Sequence, residues 1–510
     1  MPYVNIGQQQ TDVWPPDDEQ SKQRLENYKR SRLLFKGQHE EVYHRIQRWL
    51  EESESKWVVY IVCNFAGLIS KVSADMLFGE RVKYVSGQEP GGPEQAQIDE
   101  LVTRSKLHSL NYEMALSGSW RGEVIYKMRF GPGQAWAEDK NHAVIEPASP
   151  ARFWPILSGD NVRNLQGGIF GQVRRDQDGK HYLKIERHEP GRIGHELYRL
   201  EGDGRTILGR EKLNLFPDYK DLPEQEETGY PGLLFTFTPN WRLEDEFWGI
   251  SDYYDLETIF DELNNRISRI SSVLDKHESP RLVLPPGIMK WDERTQRWFI
   301  EKEDLEVLEI SGQDDTVRGD LPKYLTWDAE LNAAFKQVDK LIEMAFLISE
   351  TSPDAFGMGE RGGTESGRAL KYRLLRLLAK INRKKLYFDE ALKEALLTAA
   401  HLEATHGDGI DPSRLEGLRL EWGDGIPADE FEQAQVENLR TDGKPTTSIR
   451  SAVRRLDDLE GEALEQELDQ IAQDATGADI GADEGAIDRS RVLDLFGTGE
   501  ATADEPGGAE

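Results

Sequence analysis

Residues 251–276 read SDYYDLETIFDELNNRISRISSVLDK, with Tyr253, Leu256, Phe260, Leu263, Ile267, Ile270 and Leu274 spaced by 3, 4, 3, 4, 3 and 4. This a/d seam lasts three heptads and predicts one helix that packs lengthwise against partners at a shallow left-handed angle. Gly249 lies just ahead of the run, Ser251 is placed to cap it, and Asp252 and Asp255 fall in its first turn, where the helix dipole favours acids. Pro280, Pro285 and Pro286 end it. At ~1.5 Å per residue the segment makes a rod of roughly 37 Å.

Toward the C-terminus, three β-like runs (281–284, 297–301 and 305–310) separate this rod from a second one over 328–351, striped by Leu331, Phe335, Val338, Ile342 and Ala345. The plan is therefore two antiparallel rods with a small β module at one end, their stripes buried on each other or on neighbouring subunits. After Pro353 a glycine-dense loop, Asp354 to Thr364, leads into the longest predicted helix, 366–405. There Leu370, Leu374, Leu377, Leu378 and Ile381 face one way, while Arg373, Arg376, Lys380 and Arg383 form a basic stripe on another face. Beyond Gly407 come a strand-like Leu418–Trp422, helical segments over 429–474, and a Gly/Ala/Asp/Glu remainder whose composition predicts disorder.

Toward the N-terminus, residues 17–52 read as one or two surface helices and 57–78 as another, ended by Gly79. A short helical pattern runs to Leu116, and between 123 and 238 the texture turns β-rich, with Val124–Met128, Gly168–Val173 and Leu233–Phe237 as short strands between Gly, Pro and Asp turns. The fold class is α+β, predominantly helical.

The chain of 510 residues has 63 Lys+Arg against 94 Asp+Glu, a net charge of −31, with 37 % hydrophobic residues. It is folded and acidic, which excludes a protein that holds nucleic acid by covering its phosphates with cations. The charge is uneven. Residues 421–510 carry 24 acids and 7 bases, whereas 361–385 carry nine bases and one acid, Glu365. The lone cysteine, Cys63, follows the apolar run Val58–Val62 and reads as a small buried hydrophobe, so neither a disulfide framework nor a cysteine zinc site fits. The N-terminus lacks the pattern of a signal peptide, and no apolar run reaches membrane-spanning length, so no membrane partner is expected.

Gly357, Gly359 and Gly362 match a dinucleotide-binding spacing, but they follow a predicted helix and a proline instead of a strand, so a mobile loop is the better reading and no cofactor is expected. His181, His188 and His195 recur every seven residues in a β-rich block, which does not converge them on a metal. Acid pairs such as Glu244-Asp245 or Asp314-Asp315 are too common here to mark a catalytic site. The basic stripe reads either as a face paired with neighbouring acids or as a local cationic surface that touches a polyanion transiently. Arg361, Arg368 and Lys371 strengthen the second reading.

The element order and three motifs carry a resemblance. The motifs are Phe247-Trp248-Gly249-Ile250-Ser251-Asp252-Tyr253-Tyr254-Asp255-Leu256 running into Glu262-Leu263-Asn264, Ser366-Gly367-Arg368-Ala369-Leu370-Lys371, and Trp422-Gly423-Asp424-Gly425-Ile426-Pro427-Ala428-Asp429. A weaker echo runs from Asn64 through Ala74-Asp75-Met76-Leu77-Phe78-Gly79. Together, over roughly 20–470, they resemble the portal (head-to-tail connector) proteins of tailed double-stranded DNA bacteriophages, in the siphophage-like branch.

The resemblance implies a portal fold of wing, stem, clip and crown that assembles as a ring, usually of twelve subunits, around an axial channel at one capsid vertex. It implies an N-terminal arm over 1–16, a wing over 17–250, stem helices over 251–276 and 327–352, and a clip over 277–326. A tunnel loop over 353–365, a long helix and return over 366–428, a crown over 429–474 and an acidic tail over 475–510 complete it. No enzymatic role is implied. Double-stranded DNA would pass Arg361, Arg368, Lys371, Arg373, Arg376, Lys380 and Arg383, and the seam Tyr253–Leu274 would pack subunits together. Lys290, Arg294, Arg297 and Lys302 in the clip would receive the terminase large subunit and head-completion or adaptor proteins, and major capsid and scaffolding proteins would be further partners. The protein would reside in the virion after assembly in the host cytoplasm. The rivals are an acidic metal-dependent phosphodiesterase and an internal scaffolding protein.

Overall fold

In the computed structural model, which describes residues 4–6, 9–52, 59–89, 91–132, 141–159, 161–278, 281–283, 290–299, 323–325, 331–358, 367–423, 425, 430–441, 445–457, 459 and 461–480, the seam helix starts at Glu257 and runs to Glu278. It does not start at Ser251. The Ser251 hydroxyl accepts from the Tyr253 amide at 3.2 Å and closes a local turn. Residues 252–256 follow as turns that carry Asp252 and Tyr253 into the interior.

The seam is buried inside the chain. Tyr253, Leu256 and Phe260 join Leu34, Val42 and Tyr43 from the N-terminal helical region, Ala66 and Ile69 from helix Phe65–Phe78, Trp120, and Ala345 of the second rod, Leu331–Ile348. Leu263 and Ile270 pack on Val338, with Ile267 half-buried beside them. Only Leu274, 45 % exposed, escapes. This corrects the assignment of the seam to subunit packing: the N-terminal helices supply the partner face that the heptad pattern could not identify. Full burial of each such side chain is worth ~1.5–3 kcal/mol.

The helix read from Trp57 begins instead at Phe65, with the Asn64 side chain accepting from the Gly67 amide at 2.9 Å. Ahead of it the chain lies along the seam helix, because the Ile61 and Cys63 amides bond to Ser268 Oγ at 2.9 Å and Asn264 Oδ1 at 2.8 Å. Those bonds take the amides a helix would have used. Cys63 is half-buried, and burial pushes its thiol up.

All three predicted strands form. Glu123–Gly131 is the centre of a three-stranded antiparallel sheet between Phe235–Pro239 and His142–Ala148. A larger antiparallel sheet runs in the order Ile207–Glu211, Arg192–Leu200, His181–Glu189, Asn161–Arg175 and Phe153–Ser158, with Gln225–Glu227 paired to the second of these. The long helix, Leu375–His406, lies on the three-stranded sheet. Leu377, Ile381, Phe388, Leu392, Ala395 and Leu396 share a core with Val124, Tyr126 and Met128, and the alanines let helix and sheet approach closely. A short helix, Gly367–Arg373, precedes it across a break at Leu374.

Two small antiparallel pairs occupy the expected β module, Arg281–Val283 with Lys323–Leu325 and Lys290–Asp292 with Arg297–Phe299. The third expected run, 305–310, lies outside the described residues. The chain divides into two units, Met1–Ile426 and Pro427–Glu510. The second contains helices Glu430–Thr441, Ile449–Leu456 and Gly461–Ile480, and the tail beyond 480 lies outside the described residues.

Two buried anchors hold the turn ahead of the seam helix. At the first, the Arg24 guanidinium lies 3.9 Å over the Trp248 ring, and the Gly249 amide donates to Glu123 at 3.1 Å. Burial pushes the Glu123 carboxyl up to about 8 against the opposing pull of Arg24. Gly249 also passes so close to Gly122 that a Cβ would sit 2.0 Å from the Gly122 carbonyl oxygen.

At the second anchor, the Asp252 carboxylate receives Lys384 Nζ at 2.7 Å, Ser119 Oγ at 2.6 Å and Asn240 Nδ2 at 3.1 Å, with Lys380 Nζ at 3.3 Å. Burial works to raise the Asp252 carboxyl, but the two ammonium groups overcome it and hold it well below the usual carboxylate range. One carboxylate cannot neutralise two cations, and burial beside Lys380 pushes Lys384 down to about 8.

We expect Asp252→Asn to cost about 3–5 kcal/mol in urea unfolding, because it strands two buried ammonium groups. Adding Lys384→Met should recover part of the loss. Since Asp252 is held below its ordinary 3.8, its contribution is complete above about pH 4 and falls away as pH drops further. The Lys384 cost has the opposite sense, present below about pH 8 and relieved as pH rises toward 10.5. Gly249→Ala should lower stability by about 1–3 kcal/mol through overpacking, read as a lowered thermal midpoint.

Candidate functional site

The basic stripe and the glycine loop meet where the second rod ends and the long helix begins. Ser349 and Glu350 follow the rod, and Pro353–Phe356 makes a 3-10 turn closed by Gly357 at φ +68°. The Ser352 hydroxyl accepts from the Asp354 amide at 3.3 Å, and Met358 donates back to the Pro353 carbonyl at 3.1 Å. What precedes Gly357 is a helix and a 3-10 turn, not the strand a dinucleotide loop requires. Gly359, Gly362 and Arg361 lie outside the described residues.

The stripe divides by depth. Lys380 is buried, donating to the Ser349 carbonyl at 2.9 Å and facing Asp252, which corrects its reading as a channel-lining cation. A helix turning over a core brings one residue of a 3, 4, 3 row inward, and a buried carboxylate rewards a lysine there. Arg373 pairs with Asp354 at 3.3 Å and Arg383 pairs with Glu350, so both behave as a face matched to neighbouring acids. Arg376 is exposed and has no partner among the described residues. Lys371 is exposed on the short helix, and Arg368 is described in its backbone alone.

Sequence reasoning missed Lys384 and Lys385 as structural groups. Lys385 donates to the Gly423 carbonyl at 2.6 Å and lies 5.7 Å over the Trp422 ring, while Trp422 Nε1 donates to Asp389 at 3.0 Å. These contacts bind the start of the Trp422–Asp429 motif to the long helix. The i, i+4 spacing of Lys380 and Lys384 beside Leu377 and Ile381 was the available signal of inward lysines.

Above the Asp252 anchor opens a cavity of about 300 Å³ lined by Trp241, Tyr254, Asp255, Ile348, Glu350 and Arg383. Its floor carboxylate accepts three hydrogen bonds and faces two ammonium groups that hold it well below the usual carboxylate range, which makes it a poor general base. Elsewhere, His188 and His195 are buried, His188 between the Phe170 and Phe235 rings, and the described residues contain no group of three metal-ligating side chains. Of the cations expected in a clip, Lys290, Arg294 and Arg297 lie in or between the strands 290–292 and 297–299, with the Arg294 amide donating to Asp292 at 2.9 Å. Lys302 lies outside the described residues. Among the described residues no helix is long and apolar enough to cross a membrane.

Among solved structures, a chain in the neck of a native GTA particle computed with C12 symmetry matches at 12 % identity and a TM-score of 0.41, covering 77 % of this chain and 89 % of that one. A chain in the neck of an empty GTA particle solved with C6 symmetry matches with the same figures. No curated protein matches the sequence. The family profile described as phage portal protein, SPP1 Gp6-like, matches residues 16–479. The chain belongs to that phage portal protein family.

Proposed function

We propose that this protein is the portal subunit of a tailed-phage-type particle, forming a ring at one capsid vertex through which double-stranded DNA is packaged and ejected. The observation that carries the reading is the family match over residues 16–479, which spans both rods, the β module, the loop and the long helix. The ring has twelve subunits in this reading. Residues 17–250 serve as the wing, 251–276 and 327–352 as the stem helices, 277–326 as the clip, 353–365 as the tunnel loop, and 429–474 as the crown.

The terminase large subunit, and later head-completion or adaptor proteins, dock on the clip through Lys290, Arg294, Arg297 and Lys302. Major capsid and scaffolding proteins meet the outer surface, and assembly takes place in the host cytoplasm. The role is a conduit, without chemistry on the DNA.

The charge distribution supports a conduit. A net of −31 per chain repels a polyanion from most of the surface, so the duplex is not gripped as it moves. Lys380 is buried, and Arg373 and Arg383 are paired to acids; this reading assigns weak, salt-sensitive contacts with the phosphates to Arg361, Arg368 and Lys371, nearer the loop.

Electron microscopy of the purified protein should show rings with a central hole, and their rotational order gives the subunit number. A stable monomer at high concentration overturns the reading. Arg361→Glu with Lys371→Glu should reduce packaged DNA about tenfold while rings form normally. Undiminished packaging by such rings would remove these residues from the DNA path.

A further inference from the structure

The last turn of helix Glu19–Phe35 lies beside the last turn of helix Leu107–Arg121, with the Phe35 and Trp120 rings stacked at 6.3 Å. Each turn carries an arginine, Arg32 on the first and Arg121 on the second. The Arg121 guanidinium lies 4.5 Å over the Trp120 ring and 5.9 Å from the Tyr28 ring. Its Nε is buried with no acceptor, and among the described residues no carboxylate or carbonyl oxygen meets the rest of the group. The charge that acts on it is a second cation, since burial and Arg32 together push Arg121 down to about 10.

A C-terminal helix turn favours a cation, which explains the residue type but leaves the hydrogen-bonding edge of each guanidinium unfilled. Glu123, two residues from Arg121, is taken by the Tyr28 hydroxyl, the Gly249 amide and the pull of Arg24. Arg32 is exposed and likewise meets no acid among the described residues. Arg242 differs, although its Nε is also buried without an acceptor: it donates to the Phe247 carbonyl at 3.5 Å and feels the charge of Glu390. In a chain with 94 Asp+Glu, a desolvated guanidinium that no described carboxylate reaches is costly until an anion comes from outside.

We propose that Arg32 and Arg121 form a site for one oxyanion, a carboxylate or a phosphate-like group, held between the two guanidiniums. With the Trp120 ring under its face, Arg121 presents its N–H edge, and a planar fork of donors matches the paired oxygens of such a group. The site opens on the surface, because Arg32 is exposed and Arg121 only half-buried. A DNA duplex is disfavoured there, since a net of −31 repels a polyanion far more than a single small charge. The oxyanion comes from one of two sources, an ion free in solution or an acidic side chain of a second copy of this chain.

The test replaces chloride with millimolar sulfate, at constant ionic strength, in dilute full-length protein and follows the thermal midpoint. Wild type should gain about 2 °C more than Arg121→Met, because an ion bound only by the folded state stabilises it, while the general effect of sulfate is common to both proteins. Arg32→Met, at an exposed position where folding is not at stake, should lose about half of that gain. Arg121→Lys, which keeps the charge and loses the fork, should lose most of it. Equal gains in wild type and both methionine variants would overturn the site. The same titration on assembled protein separates the sources. A gain that vanishes on assembly, with assembly weakened about threefold by Arg32→Met, supports the site and assigns its oxyanion to a second copy. A gain that persists, with assembly unchanged, supports it and assigns the oxyanion to solution. A protein that forms no ring overturns the portal reading alone, since the dilute sulfate arm decides this site without it.

Discussion

One buried carboxylate organises the centre of this molecule. Asp252 sits where the turn ahead of the seam helix, helix Leu107–Arg121 through Ser119, and the long helix through Lys380 and Lys384 come together. Its neighbour Tyr253 extends the network, donating to the Ala66 carbonyl at 2.7 Å and lying 2.6 Å from Ser70 Oγ. Helix Phe65–Phe78 enters through those groups and through Ser73, which lies 2.6 Å from Lys384 Nζ. A buried charge tolerates no vacant partner. Each of these elements is therefore fixed relative to the others, and the cavity above the anchor inherits that geometry.

The anchor also explains how a basic helix is accommodated in an acidic protein. Of the nine bases between 361 and 385, Lys380 and Lys384 neutralise Asp252, Lys385 binds the Gly423 carbonyl, and Arg373 and Arg383 pair with Asp354 and Glu350. Most of the local positive charge holds the loop, the rod and the return strand against the long helix. A helix whose cations are so largely committed to partners within the chain presents only a weak, local field to a polyanion.

The coarse architecture was legible because it is written in periodicity. The 3, 4 spacing marked both rods, the Gly, Pro and Asp turns bounded the β block, and the order of the Phe247–Leu256, Ser366–Lys371 and Trp422–Asp429 motifs pointed to the family. The errors fall where a distant segment competes for a local group. The seam helix starts six residues later than its cap signal suggests, since Asp252 is drawn into the interior. The helix read from Trp57 starts at Phe65, since Ser268 and Asn264 capture the amides ahead of it. The stripe Arg373–Arg383 looked uniform in sequence and proved to be three kinds of cation: buried, paired and exposed.

What the sequence determined by itself was the element types, their order, the family they belong to, and an uneven charge that set a basic loop and helix against an acidic remainder. Those properties are local or additive, so spacing and composition encode them. The tertiary structure decided which partner each stripe and each charge would meet. It buried the heptad seam within the chain, sent Lys380 inward to Asp252, and left Tyr372, Leu375 and Leu386 facing outward. Burial and pairing depend on residues hundreds of positions apart, and no local spacing carries that information.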